Sequence, residues 1–337
     1  MSKIDKKLDK INELINKSNK VLIIQAENPD GDSLGSALAL EQILGDMDKE
    51  PTLYCPVQMP RYLHYMEGWS RVEDTFNNDF DMAIIVDTSS AALLERVFSQ
   101  ANISTLSSKP LVVLDHHDVA EDLPVEALVV SDHSYVATGE LIHSLAKKYE
   151  WPLNTAANES LAYSILSDSL GLMSSATTAK SIHTIGEIVE SGVKLNELDE
   201  RRREYSKKSE DIFRYKGQLF ERAEFLLEGA LGLVVIPWEE IQKYSDAYNP
   251  SMLIIDELRM VNGVQLAAVF KMYPDGKITC KMRANSGGVE ANRIAEKFGG
   301  GGHAYAAGFK IRDKEFSELK KEFISVVSDS LENADAD

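Results

Sequence analysis

Cysteine is nearly absent from this chain: Cys55 and Cys280 are the only two in 337 residues. Two thiols so far apart offer neither a disulfide framework nor the clustered ligands of a structural zinc site, and they fit a reducing compartment. Long apolar runs are missing too. No segment approaches the roughly 18 apolar residues of a membrane span. The opening "MSKIDKKLDKINELINKSNK" is charged throughout and has no apolar core of a secretory signal. A cytoplasmic protein away from membranes is expected. Positive charge is in deficit, with 36 Lys and Arg against 54 Asp and Glu and a net charge of −18. Such a field repels a polyanion, so sequence-independent binding to long duplex nucleic acid is not expected. A short anionic ligand remains accessible, because metals or one arginine can reverse the sign locally.

The rest of the composition, 44% hydrophobic and 27% charged, is that of a globular protein, and the length suggests two domains. Ile4, Leu8, Ile11, Leu14 and Ile15 recur at helical spacing and predict an amphipathic opening helix. "VLIIQA" reads as a buried strand and "SLGSALALEQILGDM" as the helix after its turn. "PTLYCPV", "FDMAIIVD", "PLVVLD" and "EALVVS" are further strand-like runs, and "ATGELIHSLAKKY" is another helix. This alternation predicts a mostly parallel sheet flanked by helices. Residues 151–191 turn helical, and a highly charged stretch after them reads as a helix or helix pair bridging two domains. Strand-like runs return in "GALGLVVIP", "VQLAAVFKMYP" and "GKITCKMRA", the last two joined by the turn signal "PDG". The glycine run "FGGGGHAYAAGFKI" and an acidic helix follow.

In parallel sheets, functional groups collect beyond the carboxyl ends of the strands. Asp30 and Asp32 flank Gly31 after the first apolar run; Asp87 ends another, and Asp115, His116 and His117 end a third. Taken alone, "NPDGD" is also a good turn and helix N-cap, and Asp87 before "TSS" could cap a helix. Adjacent histidines at a polar edge are harder to explain by packing. Hard divalent ions prefer carboxylates, and imidazole shifts the preference from Mg²⁺ towards Mn²⁺. Two ions about 3.5–4 Å apart need a bridging carboxylate and separate ligands on each side. Asp30, Asp32, Asp87, His116 and Asp168 supply about that many donors, and such a site would activate water against a phosphoryl group.

"NPDGDSLGS", the strand-ending Asp87, "LDHHD", "SDS" at 167–169 and "GGGGHAYAAG" occur in the order found in the DHH phosphoesterase superfamily. The whole chain resembles the branch with a C-terminal DHHA1 domain, the NrnA-like type that acts as oligoribonuclease and pAp phosphatase. The resemblance implies an α/β fold: a mostly parallel sheet flanked by helices (the DHH domain), and a smaller mixed-sheet DHHA1 domain joined to it by a helical linker. On this chain the divisions are 1–191, 192–228 and 229–330, with substrate held in the cleft between the domains. It also implies two Mn²⁺ ions, with Mg²⁺ as the other candidate. Asp30 would ligate the first ion and Asp32 the second, and Asp87 would bridge both and be essential to catalysis. His116 and Asp168 would complete the second site, and Asp115 would orient the histidines from behind. His117 would face the scissile phosphate as charge stabiliser or proton donor. Arg283, Gly300, Gly301, Gly302 and His303 would contact substrate phosphate. The implied reaction is hydrolysis of short RNA or of small nucleotides such as pAp, pApA or a cyclic dinucleotide, by a protein whose apolar stretches permit a homodimer.

The chain departs from the pattern at Ala26, where the family carries a metal-binding histidine. Alanine offers no donor atom, which weakens the first site. Glu27 is a candidate replacement if the strand bends there. Two other readings compete: a RecJ-like single-strand exonuclease, and a non-catalytic nucleotide-binding protein whose first metal site has degenerated. The acidic chain shows no OB-type domain with interleaved aromatics and basic residues, which disfavours the former.

Overall fold

A computed structural model describes residues 3–117, 123–245 and 248–334. The chain forms two compact units, Met1–Lys207 and Lys208–Asp337. In the first, α1 (Lys3–Lys17) leads into β1 (Lys20–Ile24), α2 (Gly31–Asp46), β2 (Glu50–Tyr54), β3 (Val72–Glu73) and β4 (Met82–Val86). Then come α3 (Gln100–Ser107), β5 (Leu111–Asp115), β6 (Leu128–Ser131), α4 (Thr138–Tyr149), α5 (Thr155–Asp168), α6 (Ala179–Glu190) and α7 (Leu195–Tyr205). The sheet runs β3-β2-β1-β4-β5-β6 with every pairing parallel. Its central strands are apolar on both sides, as a parallel sheet covered on both faces requires. Val21, Ile23, Ile84 and Val112 enter one core with α2, α4 and α5, and Leu22, Ile24, Ile85 and Val113 enter the other.

The strand order reverses direction at β1 and β4, so the segments leaving β1, β4 and β5 end side by side at one sheet edge. Those segments hold Asp30, Asp32, Asp87, Asp115, His116 and His117. Helix α2 runs against α5, and small residues set how closely. A Cβ on Gly35 would stand 2.7 Å from the Ser160 carbonyl oxygen, and one on Gly31 would stand 2.3 Å from Ser167 Oγ. Larger side chains would push the two helices apart, and with them the carboxylates they carry.

The second unit contains α8 (Glu210–Glu221), β7 (Glu224–Leu226), β8 (Leu231–Ile236), α9 (Trp238–Tyr244), α10 (Pro250–Leu258), β9 (Leu266–Met272) and β10 (Ile278–Ala284). It closes with α11 (Ala291–Lys297), β11 (Gly301–His303), β12 (Ala306–Ile311) and α12 (Phe316–Ala334). Its sheet is mixed, ordered β11-β12-β10-β9-β8-β7, with β8 and β9 parallel and the other pairs antiparallel. The "PDG" turn joins β9 to β10 as the sequence suggests. The charged stretch read as a bridge consists of two helices, α7 in the first unit and α8 in the second. Among the described residues no helix is long and apolar enough to cross a membrane.

Candidate functional site

Asp30 ends the turn after β1 and caps α2, its Oδ1 accepting the backbone N–H of Asp32 and of Ser33 at 3.0 Å each. The cap reading of "NPDGD" is therefore correct, and the cap also fixes the position of Asp32 in the first turn of the helix. Asp32 is fully buried and held from several sides. Oδ2 accepts the Thr138 N–H at 2.7 Å; Oδ1 accepts the Gly139 N–H at 3.2 Å and the hydroxyls of Ser36 and Ser164. The start of α4 thus points its free amides at an acid, where the helix dipole favours negative charge. Asp87 leaves β4 with φ +64°, a left-handed conformation that is costly for a residue with a Cβ and tends to mark functional positions. Its Oδ1 accepts the Thr138 hydroxyl at 3.3 Å.

His116 brings these acids together. Its Nε2 lies 3.1 Å from Asp168 Oδ2, 3.5 Å from Asp32 Oδ2 and 3.5 Å from Asp87 Oδ1. That nitrogen is buried, and among the described residues no hydrogen bond of sound geometry reaches it. An orphaned ring nitrogen facing three carboxylate oxygens is what a divalent cation between them would explain. Donor atoms of Asp32, His116 and Asp168 lie within 4.8 Å of one another, as do those of Asp87, His116 and His117. Hard oxygens with one or two imidazoles suit a divalent first-row ion or magnesium. Without a cation the electrostatics are strained. Burial, then Asp32, Asp30 and Asp168, push the Asp87 carboxyl well above its usual range. Burial and the charges of Asp168 and Asp32 push Asp30 up to about 6. Burial alone would lower the His116 pKa, but Asp168 and Asp32 override it and push it up to about 9.

His117 is oriented from behind. Its Nδ1 lies 2.7 Å from Asp115 Oδ1, which also accepts its backbone N–H at 3.1 Å; Ser89 Oγ donates to the other oxygen at 2.8 Å. Burial opposes charge on Asp115, yet the hydrogen bonds from His117 and Ser89 hold its carboxyl below the usual range. The same Asp115 contact raises the pKa of His117. With Nδ1–H given to Asp115, Nε2 is the free end of a half-exposed ring.

The structure corrects one expectation. Glu27 does not replace the missing donor: its carboxylate accepts the Arg96 backbone N–H and pairs with the Arg96 guanidinium. Ala26 is buried, and its carbonyl accepts the Cys55 thiol. Beside it Gln25 is fully buried, with both polar atoms of its side-chain amide unpartnered among the described residues. Asp30 belongs to neither group of converging donors. The sequence reading missed Thr138 and Gly139, whose amides, with the Thr138 hydroxyl, anchor the acids. The cue was available in "ATGEL", a helix start beyond a polar turn.

In the second unit, Arg283 lies on β10, and the glycine run opens as the end of α11 before forming β11. The Gly300 N–H donates to the Ala295 carbonyl at 2.9 Å, so that amide is not available to a phosphate. Gly301 and Gly302 pair with Gly308 and Ala307 of β12. His303 closes β11, and its side chain lies outside the described atoms.

The model of the DHH family N-terminal domain matches residues 20–177, and that of the DHHA1 domain matches 243–333. The bifunctional oligoribonuclease and PAP phosphatase NrnA of Bacillus subtilis is 26% identical over 86% of this chain and 89% of its own length. Its namesake in Thermus thermophilus is 26% identical over 91% and 89%. The cyclic-di-AMP phosphodiesterase PdeA of Listeria monocytogenes is 24% identical over 94% of this chain, which corresponds to 48% of PdeA. An exopolyphosphatase-related protein from Bacteroides fragilis superposes with a TM-score of 0.82 at 19% identity, covering 99% of this chain and 98% of its own, and so shares the fold. The chain belongs to the DHH family of phosphoesterases and carries a C-terminal DHHA1 domain.

Proposed function

We propose that the chain hydrolyses phosphoester bonds in short oligoribonucleotides or in small nucleotides of the pAp, pApA or cyclic dinucleotide kind, with manganese as its ion. The observation that carries this reading is the convergence of Asp32, Asp87 and Asp168 on the orphaned Nε2 of His116. The names of the NrnA and PdeA relatives support the substrate class. Asp32, Asp87, His116 and Asp168 would hold the cation, and imidazole among the donors weights the choice towards manganese over magnesium. A bound cation would supply an activated water and draw charge from the phosphoryl oxygens. Thr138, Ser36 and Ser164 keep the acids in place, so the charged groups need no rearrangement during reaction.

His117 keeps its proton to higher pH than an isolated imidazole because Asp115 accepts from Nδ1. Its Nε2 can therefore stabilise charge on the phosphate or protonate the leaving oxygen. Asp30 adds a carboxylate at the rim, and Ala26 leaves the first of two ion positions short of a ligand. Arg283, Gly301, Gly302 and His303 are the substrate-phosphate contacts, and residues 229–330 form the substrate-binding part beyond the 192–228 link. The test is incubation of the purified protein with Mn²⁺ or Mg²⁺ and, separately, pAp, cyclic di-AMP, a labelled dinucleotide and a long single strand. Turnover confined to the short substrates, and faster with Mn²⁺, supports the reading. Processive loss of the long strand, or binding without turnover of any of the four, overturns it.

A further inference from the structure

One face of the second sheet gathers four cations in a chain that is otherwise strongly acidic. The strand registers place Lys271, Thr279 and Lys310 in one row across β9, β10 and β12. The next same-face row is Val269, Lys281 and Gly308, and the third is Ala267, Arg283 and Ala306. Residues two apart on a strand share a face, so Lys271, Lys281, Arg283 and Lys310 stand on one side. The other side sends Phe270, Cys280, Met282 and Phe309 into the core. The four cations line a groove of about 660 Å³. Beyond Lys281 its floor is bare, because Gly308 pairs with Gly301 and a Cβ on Gly301 would meet nothing within 4 Å.

Among the described residues no carboxylate pairs with any of the four. Lys271 Nζ donates to Asn249 Oδ1 at 2.7 Å; Lys281 Nζ lies 3.3 Å from Met252 Sδ; Arg283 Nη1 donates to the Met282 carbonyl at 3.2 Å. Burial and then Lys281 lower the pKa of Lys271. Burial and then Arg283 lower that of Lys281, against a weaker opposing pull from Asp256. Half-buried cations that repel one another are a cost to the fold that a bound anion would remove. The rows at Lys271 and Arg283 are four residues apart, about 13 Å at strand rise. One phosphate cannot reach both, since a charge-assisted hydrogen bond spans about 2.7–2.9 Å.

We propose that this face is a track for a linear run of phosphates, with Lys271, Lys281 and Lys310 extending the contact made by Arg283, so that the preferred substrate carries several linked phosphates. The proposal rests on the phosphoesterase reading above, because the run is taken to be the substrate's own. The chemistry is shared by an oligonucleotide backbone and by inorganic polyphosphate.

Binding is measured in EDTA, where turnover is suppressed, by anisotropy of a labelled pentaribonucleotide across a KCl series. Unlabelled pentaribonucleotide and a polyphosphate of about ten units serve as competitors. Each phosphate contact on a single strand contributes about −0.7 to the slope of log K against log salt. The triple variant K271A/K281A/K310A is expected to lose about 2 units of slope and at least about tenfold in affinity at low salt. K310A, at an exposed position, is expected to lose about 0.7 of slope while keeping the wild-type melting temperature. Hydrolysis of bis(p-nitrophenyl) phosphate with Mn²⁺, a substrate with no further phosphate, is expected to be unchanged in both. Wild-type slope and affinity in the triple variant, with that hydrolysis intact, overturn the track. Absence of that hydrolysis in the wild type overturns the enzymatic reading instead and leaves the binding result to stand on its own. Polyphosphate displacing the probe supports recognition of phosphates as such. Displacement by the pentaribonucleotide alone overturns it.

Discussion

His116 points a ring nitrogen at three acids, and their protonation should be visible in the stability of the metal-free protein. An acid whose folded pKa is raised keeps a proton that the unfolded chain has released, so stability falls as pH rises through that window. For Asp30 the window runs from its ordinary value of about 4 to about 6. For His116, raised to about 9, the stabilisation is complete below about pH 6.5 and lost by about pH 9. Both effects have the same sign. The melting temperature in EDTA should therefore fall from pH 5 to pH 9, and the gain from added Mn²⁺ should grow over the same range because metal and protons compete for these donors. A flat EDTA curve in a fluorimetric melt would mean that the acids and His116 are not coupled. D87N should lower turnover by more than about 10³-fold yet raise the EDTA melting temperature at pH 8, since a buried carboxyl that resists ionisation is gone. D115N should lower kcat by about 10- to 100-fold and move the alkaline limb of its pH profile to lower pH, because His117 loses the contact that raises its pKa. Residues of this kind were legible in the sequence as carboxylates and histidines at strand ends. The commitment of Glu27 to Arg96 was not, since that pairing depends on where the chain returns after β4.

Strands β4 and β5 were readable because each is a short apolar run ending at an acid, β1 because its apolar run stops at a polar turn, and the β9–β10 hairpin because of its turn. The two-residue β3 at the sheet edge has no such pattern. No apolar pattern marks how the glycine run starts, just past the end of α11, where the Gly300 N–H bonds back to the Ala295 carbonyl. Least visible was the fit of α2 on α5, because small residues at helical spacing are also simply good helix formers. That fit is testable by two different obstructions. In G35A the new methyl meets the Ser160 backbone carbonyl at 2.7 Å, which no side-chain change relieves. In G31A the nearest atoms, at 2.3 and 2.6 Å, belong to the Ser167 side chain. Both variants should lose about 1–3 kcal/mol in urea unfolding, the usual cost of overpacking, and should bind Mn²⁺ more weakly as Asp32 and Asp168 are driven apart. Adding S167G should restore metal affinity to G31A, at a helix-propensity cost of about 1 kcal/mol. It should do nothing for G35A. Equal rescue of both would mean that the interface yields elsewhere and does not set the carboxylate spacing.

At the scale of the molecule, a net charge of −18 and a basic sheet face act on a polyanion in opposite directions and over different ranges. The face acts through contact and is weakened by salt as released counterions become cheaper to recapture. The global field acts over a Debye length, about 10 Å at 0.1 M salt, and its repulsion is also weakened by salt. For the first few phosphates contact dominates, because each added phosphate finds a cation among Lys271, Lys281, Arg283 and Lys310. Beyond about four or five, each added phosphate meets only repulsion. Affinity for oligoribonucleotides of 2, 4, 8 and 16 units should therefore rise and then fall with length at 50 mM KCl. At 300 mM the rising limb should shrink, through lost contact, and the falling limb should flatten, through screening. A nuclease built to hold long strands would show affinity that keeps rising with length at both salts. That outcome, read from equilibrium binding in EDTA, would contradict a short-substrate enzyme whatever its metal centre does.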